Sequence, residues 1–146
     1  MRSIKQFEEF IAVGVMKKIS IDKERAKSLI QESERKLISL KEHIEKIGIK
    51  EENANDYIEY CYDIILFLIR ARLYLIGYAS AGQGSHEAEV SYLRKVEFSE
   101  KEILFVDELR YLRNGILYYG TRCDKEYAEK VIEFTKKNIP RLKEKI

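Results

Sequence analysis

The chain has 146 residues, of which 45% are hydrophobic; that is enough for one buried core and excludes a disordered chain. A single proline, Pro140, and seven glycines argue against a turn-rich sheet protein and for long helices. The 27 Lys and Arg against 25 Asp and Glu leave a formal charge of +2, so the balance lacks the basic excess of a dedicated nucleic-acid binder, although a near-neutral sum permits local patches.

Taken in chain order, residues 3–17 place Ile4, Phe7, Phe10, Ile11 and Val15 on one face of a short helix, weakened by Gly14. Ser20 or Asp22 caps a long amphipathic helix over about 22–47, with Gly48 as its stop. A third helix begins near Glu51 or Asn55 and runs to about Ala79. Between Ile64 and Ile69 it is apolar all round, so more than one neighbour must cover it: other helices of the chain, or a second subunit. Gly77, Gly82 and Gly84 mark its end and a loop. Ser85 is positioned to cap a short helix over about 86–95. Ser99 and Glu102 form a capping box. The helix behind that box reaches Tyr119, with Gly120 as its stop and Phe105, Leu109, Leu112, Ile116 and Tyr119 as its core stripe. Asp124 caps a last helix through about Asn138, and Pro140 kinks or restarts it. The expected fold is all-α, an antiparallel up-and-down bundle of five to six helices with essentially no strand.

Cys61 and Cys123 stand far apart, with no CxxC and no Cys/His cluster. The expectation is a reduced, cytoplasmic protein with no metal and no cofactor. Glu8 and Glu9 interrupt the first apolar stretch, so it does not read as a signal peptide. The apolar run Ile64–Ile69 meets Arg70 and Arg72 long before the roughly 20 residues of a membrane span. The 36% of charged residues resembles proteins from hot environments, and long exposed helices produce the same mixture.

The stretch Arg110-Tyr111-Leu112-Arg113-Asn114-Gly115-Ile116-Leu117-Tyr118-Tyr119-Gly120 carries the most chemical information. Arg113 lies on the edge of the core stripe, and Arg110 lies on the same side. Arg113-Asn114 followed by Tyr118 resembles the motif of the HEPN family (higher eukaryotes and prokaryotes nucleotide-binding domain), in the subset that has Tyr where others have His. Arg70-Ala71-Arg72-Leu73-Tyr74-Leu75-Ile76-Gly77 resembles that family's long-helix end, and Ser85-His86 the Ser-His that opens its short third helix. The resemblance covers about residues 22–146. It divides the chain into an N-terminal helical extension, 1–20, and a HEPN-like bundle, 21–146.

The resemblance implies a nucleotide- or RNA-binding module that forms a homodimer with the motif in the cleft between chains. It also implies a toxin–antitoxin-like pairing with a nucleotidyltransferase-type antitoxin. Members with Arg and His are often metal-independent ribonucleases. Here Arg113 and Tyr118 would be the catalytic residues, with Arg110, Asn114 and Tyr119 as ligand-binding residues. Tyrosine, with a pKa near 10, is a poor general base at neutral pH, so binding is the first expectation and a ribonuclease the alternative. A third reading is a plain helical scaffold. On one unbroken helix Arg113 and Tyr118 are about 140° apart and cannot converge on one small ligand, so either the helix ends before Tyr118 or the site is built between two subunits. Each residue also has a plainer role. Arg110 and Arg113 can pair with carboxylates on neighbouring helices, Tyr118 and Tyr119 can pack at a helix end, and Arg70 and Arg72 can snorkel. His86 can sit at a helix start, and His43 in solvent.

Overall fold

A computed structural model describes residues 3–144. Among them are six α-helices and one two-stranded antiparallel ribbon: α1 Phe7–Ala12, β1 Met16–Lys18, α2 Lys23–Ile47, α3 Ala54–Ile76, β2 Tyr78–Ser80, α4 Ser85–Ser91, α5 Glu100–Tyr119 and α6 Lys125–Lys143. A 3-10 turn, Tyr92–Val96, links α4 to α5. The all-helical expectation therefore stands. No helix among the described residues is long and apolar enough to cross a membrane.

The helix starts follow from local chemistry. The Asp22 carboxylate accepts from the Arg25 amide at 2.9 Å and opens α2. Asp124 does the same for Tyr127 at 2.8 Å and opens α6. Ser99 and Glu102 close the expected capping box, at 3.1 and 2.8 Å. Each such cap is worth about 1 kcal/mol. Ser85 differs: it is the first helical residue, and Gly84, in the left-handed region, holds the cap position.

The central element is α3. Ile64, Ile65, Leu66, Leu68 and Ile69 are all buried, and the cover comes from helices of the same chain. Gly48 and Tyr57 meet where α2 turns into α3, while Arg25 near the start of α2 meets Tyr74 near the end of α3, so the two helices are antiparallel. α5 also runs antiparallel to α3, with Arg113 beside Asp63 and Thr121 beside Asn55. α6 runs parallel to α3, from Cys123 at Asn55 to Leu142 at Arg72. The all-round apolar stretch is thus satisfied within one chain and gives no argument for a second subunit.

Three expectations about element boundaries are corrected. The helix read over 3–17 is only Phe7–Ala12, because Gly14 adopts φ +79° and turns the chain into β1. β1 pairs with β2, Met16 opposite Ser80 and Lys18 opposite Tyr78. Residues 78–80, read as the end of the third helix, are this second strand. The last helix, read through about Asn138, continues to Lys143 with Pro140 inside it, so Pro140 does not restart it. Proline removes one helical hydrogen bond, but Ile139 and Leu142 are buried on either side of it, and Arg72 donates to the Leu142 carbonyl at 2.9 Å.

Residues 4–18 share the core of the bundle: Ile4, Phe7, Phe10 and Met16 are buried in the same cluster as α3. The Phe7 ring meets Tyr78 and Tyr92 edge-on, each at 5.5 Å. The hinge of this attachment is Gly77. It adopts φ +82°, and a Cβ there would stand 2.8 Å from the Ile19 carbonyl oxygen. That oxygen belongs to the backbone whose amide binds the Gly77 carbonyl at 2.8 Å, so it has little freedom to move. Gly77→Ala combines left-handed strain with a backbone clash, and should lower the unfolding free energy by about 2 kcal/mol or more. Urea denaturation checks this, and a change under 0.5 kcal/mol contradicts it.

Candidate functional site

The site begins with charge on a buried helix. Asp56, Glu59 and Asp63 follow one another along one side of α3 at helical spacing. Carboxylates so placed need cations. Asp63 takes two: Lys36 from α2 at 3.1 Å and Arg113 from α5 at 3.0 Å. The Arg113 guanidinium also lies over the Tyr62 ring, 5.5 Å from its centroid. Its side chain is only 23% exposed, and its Nε–H is buried without a partner among the described residues. Burial pushes the Glu59 carboxyl above the usual carboxylate range, while Arg113 pulls it back.

Two helical turns along α3, Arg70 forms a bidentate pair with Glu89 of α4, at 2.6 and 3.2 Å. Glu89 is 3% exposed. The same guanidinium reaches His86 Nε2 at 3.3 Å. Arginine can only donate, so Nε2 accepts and the ring proton sits on Nδ1. Tyr62 joins the two halves, its ring 6.4 Å from that of His86. Burial raises the Tyr62 phenol well above the ordinary tyrosine value, so it stays protonated. Its hydroxyl has no partner among the described residues.

His86 is half-buried, and burial is the first cause that lowers its pKa. Arg70, Arg113 and Arg110 lower it further, and Glu89 opposes them. In the unfolded chain the ring titrates near 6.5. Below that pH the unfolded state binds more protons than the folded one. Stability is therefore complete above about pH 6.5 and falls as the pH drops through the window beneath it. The His86 ring should titrate with a midpoint below 6.5 by NMR, and His86→Gln should flatten the loss of stability in that window. A midpoint at or above 6.5 contradicts this account.

The residues singled out from the sequence do not converge within one chain. Arg110 pairs with Asp107 on its own helix at 2.7 Å and is largely covered. Arg113 faces α3. Asn114 is exposed, as are Tyr118 at 75% and Tyr119 at 87%. The helix is unbroken to Tyr119, so the divergence of Arg113 and Tyr118 read from helical geometry holds. Tyr119, expected to complete the core stripe, does not: the last buried residue of α5 is Leu109. Beyond it one side of the helix stays on the bundle through Arg113 and Ile116, while Tyr111 (72%) and Leu117 (52%) on the other side are exposed as well.

Sequence reasoning missed Asp63, Glu89 and Asn55. The first two had a signal, since a carboxylate on a mostly apolar helix demands a partner. Asn55 donates to the Thr121 carbonyl at 2.8 Å and accepts from the Cys123 amide at 2.9 Å, clamping the α5–α6 connection; nothing near it in the sequence announces this. Gly115 of the motif also has a local task. A Cβ there would meet Thr121 Oγ1 at 2.9 Å, so glycine lets the connection close against α5.

Cys61 is buried and its thiol is pushed up to about 12 by burial, leaving it inert. No group of His, Cys, Asp or Glu among the described residues could hold a metal ion. His43 is exposed on α2, its Nδ1–H donating to the Ser39 carbonyl at 2.7 Å. No protein-family model, curated protein or solved structure matches the chain.

Proposed function

We propose that the chain is a HEPN-like nucleotide- or RNA-binding module that acts as a homodimer, with the second half of α5 as its working face. One observation carries the reading. From Arg110 to Tyr119 no residue is buried, although six of the ten are Tyr, Leu or Ile. Its outer side, with Tyr111, Leu117, Tyr118 and Tyr119 exposed, is suited to a second surface. Its exposed tyrosine rings suit stacking on bases. Arg113 at its edge meets Asp63 through Nη2, and an arginine fork can add a phosphate contact. The resemblance of Arg113-Asn114 and Tyr118 to the HEPN motif supplies the class of ligand. It also supplies the partner, a nucleotidyltransferase-type antitoxin. The role is binding rather than cleavage, because a tyrosine, a poor general base at neutral pH, stands at position 118 where the cleaving members of the family have His.

A helical scaffold without ligand is the second reading. The carboxylates of α3 favour it, since Arg113 there serves to neutralise Asp63 beside Glu59 and Asp56. Labelled RNA incubated with the protein and resolved on native and denaturing gels separates the readings. A shifted but intact RNA supports the binding module. Cleavage that is lost in Arg113→Ala transfers the function to a metal-independent ribonuclease. No shift and no cleavage leaves the scaffold.

A further inference from the structure

A second site lies further along α3 than Arg113, toward the C-terminal end of that helix. A cleft of about 530 Å³ opens between α2, the end of α3, β2 and α4, a size that suits a small organic ligand. Its charges are mostly cancelled. Arg70 and Glu89 form the bidentate pair at its inner wall, and Glu32 at its rim is held by Arg35. Arg25 is the exception. Its guanidinium donates to the Tyr74 hydroxyl at 3.2 Å and lies 5.1 Å from that ring's centroid, but no carboxylate among the described residues pairs with it. One turn along α2, Ser28 also lines the cleft, and Ser80 and Ser85 face it from β2 and α4. None of the three hydroxyls makes a hydrogen bond to a described residue. Leu29, Leu73 and Tyr78 give the cleft apolar walls.

An uncompensated arginine beside free hydroxyls is a receptor for an anion with several acceptor oxygens. Apolar walls beside it suit a ring. We infer that this cleft binds a small phosphate monoester carried on an aromatic or heterocyclic body, with the phosphate at Arg25 and Ser28 and the ring between Leu29, Leu73 and the tyrosines. The site shares no residue with the exposed face of α5 and does not depend on what that face binds.

The test is calorimetric titration of the full chain with four probes: adenosine monophosphate, phenyl phosphate, adenosine and inorganic phosphate. The two monoesters should bind, and adenosine and inorganic phosphate should each bind at least about tenfold more weakly, since each keeps only half of the contacts. Arg25→Leu should weaken the monoesters at least about tenfold, whereas Arg122→Leu, which removes an exposed arginine beside Glu51 and away from the cleft, should leave their affinity unchanged. Arg25 is exposed, so its replacement preserves the fold, which thermal melting verifies. Absence of binding by either monoester at millimolar concentration overturns the inference. So does equal affinity in Arg25→Leu, or an equal loss of affinity in Arg122→Leu, which would reduce the effect to net charge.

Discussion

Arg70→Met should lower the unfolding free energy by about 3–5 kcal/mol, the range for removing one partner of a buried ion pair. The cause is what stays behind. Glu89 is 3% exposed and both its oxygens are taken by Arg70. Without the guanidinium its charge would sit among buried Ala88 and Val90, beside a neutral His86. Glu89→Gln placed on top of Arg70→Met should recover most of the loss, because the amide removes the stranded charge. The signature is this coupling in a double-mutant cycle, measured by urea denaturation. If Arg70→Met costs less than about 1 kcal/mol, the pair behaves as a surface ion pair and the buried cluster is wrongly described.

Tyr118→Asp together with Tyr119→Asp should abolish self-association and leave the fold intact. The two rings are 75% and 87% exposed and cap no core, so folding loses little when they go. In a two-fold dimer every substitution acts twice. Burying an aromatic side chain contributes about 1.5–3 kcal/mol, and the new carboxylates would face their own copies. The dimer should weaken by at least about 100-fold, some 2.7 kcal/mol. Sedimentation at micromolar concentration should give a particle of twice 17.3 kDa for the parent chain and a monomer for the variant. A parent chain that sediments as a monomer contradicts the dimer.

The fold was legible in the sequence where one local rule decided the outcome. Asp22, Ser99 and Asp124 are caps in the structure as they are in the sequence, because a carboxylate or hydroxyl one turn before an apolar stripe needs nothing distant to act. The ribbon of Met16–Lys18 with Tyr78–Ser80 was hidden. Its strands are three residues each and some sixty positions apart, and neither alternates enough to announce itself. Pro140 misled because its cost is local while the burial that outweighs it is tertiary. In the site, the arginines were visible and their partners were not. Asp63 and Glu89 became partners only when α3 was packed against α5 and α4, a matter of register between helices that no single segment encodes. The exposed end of α5 was misread for a related reason. Its periodicity is that of a buried stripe, and only the length of the bundle shows that no neighbour covers Tyr119.

The most direct test of the binding module is the affinity of a labelled single-stranded RNA for the parent chain and for Arg113→Ala, followed by fluorescence anisotropy across a salt series. Arg113→Ala should fold normally, because Lys36 remains 3.1 Å from Asp63 and keeps that carboxylate paired. A charge-assisted contact to phosphate is worth about 1.5–3 kcal/mol, so the variant should bind about 10- to 100-fold more weakly, with a shallower dependence on salt than the parent. The RNA should remain intact throughout. Arg113→Ala that binds as tightly as the parent, or a parent chain that binds no RNA at low salt, would contradict the account and leave Arg113 as an ion-pair partner of α3 alone.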